Sequence, residues 1–238
     1  VFDYTDTSSV DGRERLPVMF SETVAERWHT SNPESDVENV LANHISGVNR
    51  ENNLLSQFTG SIHLRANFYK DFINSFGVNF PSPAQKNGLL YYDYYIVDTL
   101  LVDGRRTYQV RDHPKKGTTS PAFDGEMFVD TEDWALRSIK ARLTRGQNMN
   151  WVRDMQLEAA YRRLDDSTWF YGTDRFYAEF SVSVLADSSK LISVLGNRTL
   201  EFSNPEFETR QAKPGQSIVD VTDGSALHDE AYWDSARP

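Results

Sequence analysis

Alternation of apolar and polar residues with a period of two governs the chain from Gly88 onward. In the clearest run, residues 176–184, apolar residues occupy every even position and mostly polar residues the odd ones. A strand with one buried and one solvated face has this pattern, whereas a helix repeats its apolar residues every 3.6 positions. Asp103-Gly104 separates two alternating runs and is a strong hairpin signal. Together these features predict an antiparallel β-meander over about residues 89–203.

The same alternation divides this region into six or so strands joined by short turns. The predicted strands cover Leu89–Val102, Arg105–His113, Phe123–Val129, Ala135–Leu143, Met155–Arg162, Phe176–Val184 and Lys190–Phe202. Turns are predicted at residues 115–117, 130–133 and 165–167, where polar residues and glycine interrupt the pattern.

A helical layer is predicted upstream of the meander. Ser35 and Glu38 have the spacing of a capping box, in which each side chain satisfies a backbone N–H group near the other. The apolar residues that follow form one face of a 3.6-residue period: Val37, Val40, Leu41, Ile45 and Val48. A second helical stretch is predicted within residues 52–58 or 68–76.

Helices followed by strands predict an α+β fold, with N-terminal helices packed on a curved antiparallel β-meander. We assign residues 1–203 to one α+β domain, with the helical part at about 33–88 and the β-meander at about 89–203. Residues 204–238 contain prolines and glycines and are predicted to be an extended C-terminal segment or linker.

The acidic composition indicates that nucleic acid is not a partner. The chain has 35 acidic and 25 basic residues, a formal net charge of -10 and no basic stripe. Such a surface repels phosphate backbones. The chain has no cysteine, which excludes disulfides, thiolate metal sites and cysteine nucleophiles. No apolar run in the sequence approaches the roughly 20 residues that a membrane-spanning helix needs.

The sequence contains no recognisable catalytic, metal or cofactor motif. The five histidines have neither the i, i+4 spacing nor the context of a metal site. No serine lies in a nucleophile elbow, and no glycine-rich loop would cradle a phosphate. We therefore predict a non-enzymatic protein without catalytic residues, metal or cofactor. The alternative is a hydrolase of glycan or peptide that uses two carboxylates converging in a cleft. Pairs such as Asp165 with Asp166 or Asp93 with Asp98 are expected by chance in so acidic a chain, and adjacency in sequence does not supply that geometry.

The candidate ligand-binding residues are four clustered tyrosines, Tyr91, Tyr92, Tyr94 and Tyr95. In an extended strand Tyr91 and Tyr95 share one face, and Tyr92 and Tyr94 share the other. Phenol rings at the rim of a sheet can present their faces to lipid, sugar or peptide. The competing interpretation, which we favour, is ordinary packing between the sheet and the helices.

Several stretches, taken together, resemble a family of large outer-membrane proteins of Bacteroidota whose function is unassigned. The matching stretches are Leu16-Pro17-Val18-Met19-Phe20-Ser21-Glu22-Thr23, Asn67-Phe68-Tyr69, Ser82-Pro83-Ala84, Leu90-Tyr91-Tyr92-Asp93-Tyr94, Pro114-Lys115-Lys116, Phe123-Asp124-Gly125-Glu126-Met127-Phe128-Val129-Asp130 with Trp134, and Tyr232-Trp233 with Arg237-Pro238. Each is weak alone, but their order covers nearly the whole chain. Members of this family combine a carboxypeptidase-regulatory-like β-sandwich, a family-specific middle region and a C-terminal outer-membrane β-barrel.

The resemblance implies that this chain is the middle region, located in the periplasm and attached to the outer membrane through its own C-terminal barrel. Under that interpretation both ends, at Val1 and Pro238, are cut from a longer protein. The early helices and the meander also resemble the half-open barrel of lipoprotein carriers such as LolA, a likeness that concerns fold alone. It implies an apolar groove on the concave face of the sheet for lipid, lipoprotein or polypeptide.

Three functions therefore stay open: a non-enzymatic binding module, the carboxylate-based hydrolase, and an adhesion or structural module. We also predict a tendency of this chain to dimerise, because a sheet that lacks upstream elements leaves one edge open to pairing with a second copy.

Overall fold

The computed structural model describes residues 6–7, 14–15, 19–28, 37–47, 66–144, 149, 152–166, 168–183, 191–207, 219–221 and 228–236. In chain order the strands are β1 (Asp6–Thr7), β2 (Glu14–Arg15), β3 (Met19–Trp28), β4 (Val37–Gly47), β5 (Phe72–Ser75), β6 (Val78–Pro81), β7 (Tyr92–Val102), β8 (Arg105–Pro114), β9 (Phe123–Asp130), β10 (Leu136–Leu143), β11 (Val152–Arg163), β12 (Trp169–Ser183), β13 (Leu191–Glu201) and β14 (Val219–Val221). The described part also holds a 3₁₀ helix at Lys86–Leu90 and helix α1 at Glu230–Ala236. Neither helix has the length and apolar character needed to cross a membrane.

The chain forms two compact units. The first comprises Val1–Asn53 and Phe207–Pro238, and the second comprises Leu54–Glu206. In the first unit, β4 lies between β3, with which it pairs antiparallel, and β14, with which it pairs parallel. Of the residues assigned to a C-terminal linker, some therefore form β14 and α1. The domain boundaries inferred from the sequence stay a prediction.

The second unit is built on a seven-stranded antiparallel sheet in the order β13-β12-β11-β10-β9-β8-β7. Each strand pairs with its neighbour in sequence, as the meander prediction requires. Alternation sets the faces of each strand. In β12, for example, Phe176, Ala178 and Phe180 are buried on one face, and in β10 Ile139 and Ala141 are buried on the same side of the sheet.

A hairpin of β5 and β6 covers this apolar face. Phe80 of the hairpin stacks on Phe123 of β9, with ring centroids 4.6 Å apart. Phe76, at the tip of the hairpin, contacts Phe180 edge to face at 5.4 Å. Ser75 donates a hydrogen bond of 3.2 Å to the sulfur of Met155. The core of the second unit therefore lies between one sheet face and the protein's own hairpin.

The predicted α+β class is wrong, because the regular structure in the described part of the predicted helical region is mainly the strands β4, β5 and β6, with no α-helix among those residues. Val37–Gly47 is β4, in which Val40 and Ala42 are buried while the residues between and beside them are half-buried. Valine and isoleucine favour strands, since their branched Cβ restricts rotamers in a helix. Pairing on both sides, with β3 and β14, then overrides the helical period. Ser35 of the predicted capping box lies outside the described residues.

The second predicted helix meets the same correction. Residues 68–76 contain the strand β5, and residues 52–58 lie outside the described part of the chain. Because a β-hairpin covers the sheet where helices were expected, the LolA-like arrangement of helices on a half-open barrel is not formed by the described residues.

Gly125 in β9 allows close approach of β10, and substituting it tests the packing of the sheet. A Cβ at Gly125 would overlap the carbonyl oxygen of Lys140 and approach the Cα of Ala141 to 3.2 Å. We expect Gly125→Ala to lower the free energy of unfolding by roughly 1–3 kcal/mol, since backbone must shift to admit the methyl group. Urea unfolding measures this. Gly172→Ala is the control, because its nearest neighbour would be 3.3 Å away. Equal losses in both variants would contradict the explanation.

Candidate functional site

Strand β7 forms one edge of the seven-stranded sheet and is unusually apolar for an exposed edge. Among the described strands it pairs only with β8. Large apolar side chains nevertheless face solvent along it: Ile96 is 64% exposed and Leu101 is 72% exposed, and Tyr95 and Val97 are also exposed. An edge strand presents unpaired backbone N–H and C=O groups, which can template pairing with another segment. We call residues 95–102 the edge segment.

The edge segment is shaped by a bulge and a tight turn. The pairing register between β7 and β8 shifts between Ile96 and Asp98, so Val97 is the extra residue. Beyond the bulge the hairpin closes through Asp103 and Gly104, whose φ angles are 51° and 75°. Two consecutive positive φ values are typical of the turn that matches the twist of a two-residue hairpin, and Asp-Gly favours it. The hairpin predicted from this dipeptide is confirmed.

The four candidate tyrosines have different environments. Tyr92 is buried and its hydroxyl donates to the carbonyl of Pro81 at 2.8 Å, and Tyr94, on the same face, donates to the carbonyl of Pro83 at 2.8 Å. Tyr91 is half-buried and contacts Phe72 edge to face. Tyr95 lies on the opposite face from Tyr94 and is exposed within the edge segment. Three of the four therefore pack against the protein, and their role in ligand binding stays a prediction.

A buried carboxylate, Asp130, ties the tip of the β7–β8 hairpin to the rest of the sheet. Its two oxygens accept a bidentate pair of bonds from Arg105, at 2.8 and 2.7 Å. They also accept from the backbone N–H groups of Glu132 and Asp133 at 3.0 Å and from Arg137 at 3.4 Å. These donors, with the Arg105 guanidinium foremost, hold the pKa of Asp130 well below its usual range.

Asp133 extends the network to the β11–β12 turn. It accepts a hydrogen bond of 2.9 Å from the indole of Trp169, and it forms ion pairs with Arg105 at 2.9 Å and with Arg163 at 3.4 Å. Arg137 in turn donates to the carbonyl of Val102 at 3.1 Å, at the end of β7. We call Arg105, Asp130, Asp133 and Arg137 the ionic hub. It fixes the edge segment to elements that are remote in sequence.

Two clefts border the edge segment, one on each face of the hairpin. The larger, of about 780 Å³, is lined by the ionic hub's arginines and by apolar groups that include Val102, Phe128 and Trp169. The smaller, of about 540 Å³, is lined by Thr99, Leu101 and their neighbours on β8. Residues paired across two strands point to the same face of the sheet, and successive pairs point to opposite faces. The pair Val102 and Arg105 lines the larger cleft and the next pair, Leu101 and Arg106, lines the smaller one, so the clefts lie on opposite faces. Both clefts could accept side chains of a segment that lies along β7.

The chemistry of the hub suits structure better than acid–base catalysis. Asp130 and Asp133 do converge, since a carboxylate oxygen of each lies close to the same nitrogen of Arg105, at 2.7 and 2.9 Å. A glycosidase of the two-carboxylate type needs one carboxyl with a raised pKa to donate a proton. Asp130 has the opposite shift, and its oxygens are occupied by donors. Within the described residues, no group of three His, Asp or Glu side chains could hold a metal ion.

Sequence reasoning found the turn at residues 130–133 but not the hub. The sequence did contain one signal, the position of Arg137. Lys140 and Arg142 lie on the solvated face of β10, whereas strict alternation would place the charged Arg137 on the opposite, apolar face. The register shift between Leu136 and Ser138 explains this, since it turns Arg137 toward Asp130. Its partners on β7, β8 and β9 lie 7 to 35 residues away in sequence.

The fold and the site define a class of mainly β modules. In this class an antiparallel meander ends in an apolar edge strand that is bordered by clefts. Residues 3–197 match a family of unknown function, DUF5686, and the chain belongs to that family. No curated protein and no solved structure gives a significant match to the chain.

Proposed function

We propose that this chain is a non-enzymatic periplasmic module of an outer-membrane protein, and that it binds an extended polypeptide segment along β7. The location rests on the resemblance described above, which also supplies the proposed partner, the protein's own C-terminal barrel. The observation that carries the binding proposal is the edge segment. Its exposed apolar side chains and its outer edge, with which no described strand pairs, lie beside two clefts.

Strand addition explains how such a surface would work. A segment paired with β7 gains main-chain hydrogen bonds from the free edge, and pockets beside the edge select its alternate side chains. The larger cleft lies within the size range of pockets that bind compact groups, and its apolar walls suit a partner's apolar or aromatic side chain. The ionic hub keeps the tip of the hairpin in place, so little order has to be created on binding.

The packing of the core favours a polypeptide over an acyl chain in a sheet groove. The apolar sheet face carries the protein's own Phe76 and Phe80, and its central side chains are buried. A lipid would have to displace the β5–β6 hairpin to reach this face. The edge segment needs no such displacement, because its side chains are already exposed.

Site-specific photo-crosslinking from position 95 of the full-length protein in its own membrane tests the proposal. We expect adducts that map by mass spectrometry to an extended segment of the barrel-side region. Ile96→Lys should reduce them about tenfold, since charges on an edge oppose strand pairing. Because Ile96 is exposed, the change should leave stability within about 0.5 kcal/mol.

A crosslinker at Thr199, on the opposite edge strand β13, is the matched control and should give no such adduct. Adducts to lipid, or the absence of any adduct at position 95, would contradict polypeptide docking. An adduct to position 95 of a second copy would identify the partner of β7 as another copy of this chain and not the barrel. That outcome would agree with the dimerisation predicted from the sequence.

A further inference from the structure

A second buried carboxylate, Asp112, differs from Asp130 because it forms no ion pair with any of the described side chains. It lies in β8, directly opposite Tyr94 of β7 and Gly125 of β9, and its exposed fraction is 0%. Within the described part of the chain, neither oxygen of its carboxyl group has a hydrogen-bond partner. An ionised carboxylate in such a place is costly, since it loses hydration and gains no partner.

The groups around Asp112 do not supply the missing donor. Tyr92 and Tyr94 face it from β7, but their hydroxyls donate to the carbonyls of Pro81 and Pro83. These bonds hold the segment 81–94, which we call the clasp, over the end of the sheet. The clasp also receives a hydrogen bond of 2.8 Å from the backbone of Lys115 to the carbonyl of Tyr91.

The charges near Asp112 favour its neutral form. Burial is the largest cause and raises the pKa of Asp112 to about 7, and Asp124 and Glu126 on β9 add to the rise. The backbone N–H group of Asp112 itself and the Arg111 side chain, on the same strand, oppose the rise. Asp124 is itself paired with His113, whose ring nitrogen lies 2.6 Å from its carboxylate.

We propose that Asp112 is a proton-operated latch: its neutral carboxyl group keeps the clasp seated, and its ionisation loosens the clasp. The ionised carboxylate of Asp112 can regain hydration only if water reaches it. Tyr92 and Tyr94 cover it, and both are held in place by their hydrogen bonds to Pro81 and Pro83. Gly88 shows how closely the clasp fits, since even a Cβ there would meet the Tyr94 hydroxyl and the Ser82 carbonyl. The latch stands whether or not β7 binds a partner, and it adds a response to pH that docking does not require.

The direction of the effect follows from the sign of the shift. With the clasp open, Asp112 has its ordinary pKa near 3.8, and with the clasp closed the pKa is about 7. Below the lower value both states are protonated and the clasp is most stable. As the pH rises from the lower value to the higher one, the open state loses its proton first, so opening becomes easier. Above the higher value the effect is complete.

Hydrogen–deuterium exchange of the whole chain, corrected for the intrinsic effect of pH, tests the latch. Between about pH 5 and pH 8 we expect opening of the clasp to increase by up to about a hundredfold, while β11 in the same sheet stays protected. Asp112→Asn, which cannot ionise, should abolish the increase. Asp124→Asn leaves Asp112 ionisable but removes the pair with His113 and one carboxylate that raises the Asp112 pKa. The increase should therefore persist in this variant and be complete at a lower pH.

An increase of the same size in Asp112→Asn, or an equal change in β11, would overturn the proposal. If the asparagine variant does not fold, a carboxyl-carbon NMR titration of Asp112 in the unaltered protein decides. A midpoint near neutral pH supports the latch, and a midpoint near 4 overturns it.

Discussion

Asp130→Asn is expected to lower the free energy of unfolding by about 3–5 kcal/mol, the cost typical of removing one partner from a buried ion pair. The side chain of Asp130 is inaccessible, and those of Arg105 and Arg137 are largely buried beside it. An amide replaces one acceptor oxygen by a donor, which cannot accept from either guanidinium. Arg105 keeps Asp133 and Glu132 as partners, and the remaining amide oxygen can still cap the β9–β10 turn, but the bidentate bond to Arg105 is lost. Urea unfolding followed by tryptophan fluorescence measures the loss.

Asp166→Asn is the matched control, since Asp166 pairs with Arg163 while fully exposed and should contribute little to stability. A loss in Asp130→Asn as small as in this control would show that the hub is not a structural centre. The pH dependence supplies a second check. The folded-state pKa of Asp130 lies below its ordinary value of 3.8, so its contribution is present above that value and is lost as the pH falls further. The variant should lack this part of the acid transition.

Asp112 and Asp130 thus respond to pH in opposite senses, and the difference comes from their donors. Asp130 has two arginines and two backbone N–H groups, whereas Asp112 has Tyr92 and Tyr94 beside it with both hydroxyls committed elsewhere. In the sequence both are single aspartates in alternating strands, at positions that alternation alone does not distinguish. Only the tertiary pairing assigns one of them arginines.

The meander was predictable because its signals are local. Alternation in β12 and the Asp103-Gly104 turn each depend on a few neighbouring residues, and adjacent strands pair in sequence order. The strand β4 was mispredicted because its apolar residues recur with the helical period, whereas pairing with β3 and with β14, which is remote in sequence, makes it a strand. Local pattern is a weak guide wherever long-range pairing contributes most of the stabilisation.

The candidate site was only partly predictable for the same reason. Tyr92 and Tyr94 were found on one face, as alternation requires, but the acceptors Pro81 and Pro83 could not be assigned without the fold. The edge segment escaped notice because a strand of Ile, Val and Leu also suits the centre of a sheet. That β7 is the last strand is a property of the sheet order.

Phe80→Ala is expected to lower the free energy of unfolding by about 3–5 kcal/mol, and it also tests which surface of the protein is available to ligands. Phe80 is inaccessible and stacks on Phe123, so truncation leaves a cavity between the hairpin and the sheet. Leu90→Ala is the control, since Leu90 is 73% exposed and should change stability by less than about 0.5 kcal/mol. Similar losses in both variants would show that the hairpin does not seal the sheet face.

The same pair of variants separates docking at the edge from carriage in a groove. If the hairpin fills the sheet face, a fluorescent fatty acid should not bind the unaltered protein saturably, whereas benzene should partly restore the stability of Phe80→Ala by occupying the new cavity. The opposite result would be saturable binding of the fatty acid by the unaltered protein, with weaker binding in Phe80→Trp. That result would mean that a lipid can displace the hairpin from the sheet face. The apolar face would then be a ligand groove that opens by displacement of β5 and β6, and the edge segment would lose its standing as the primary binding surface.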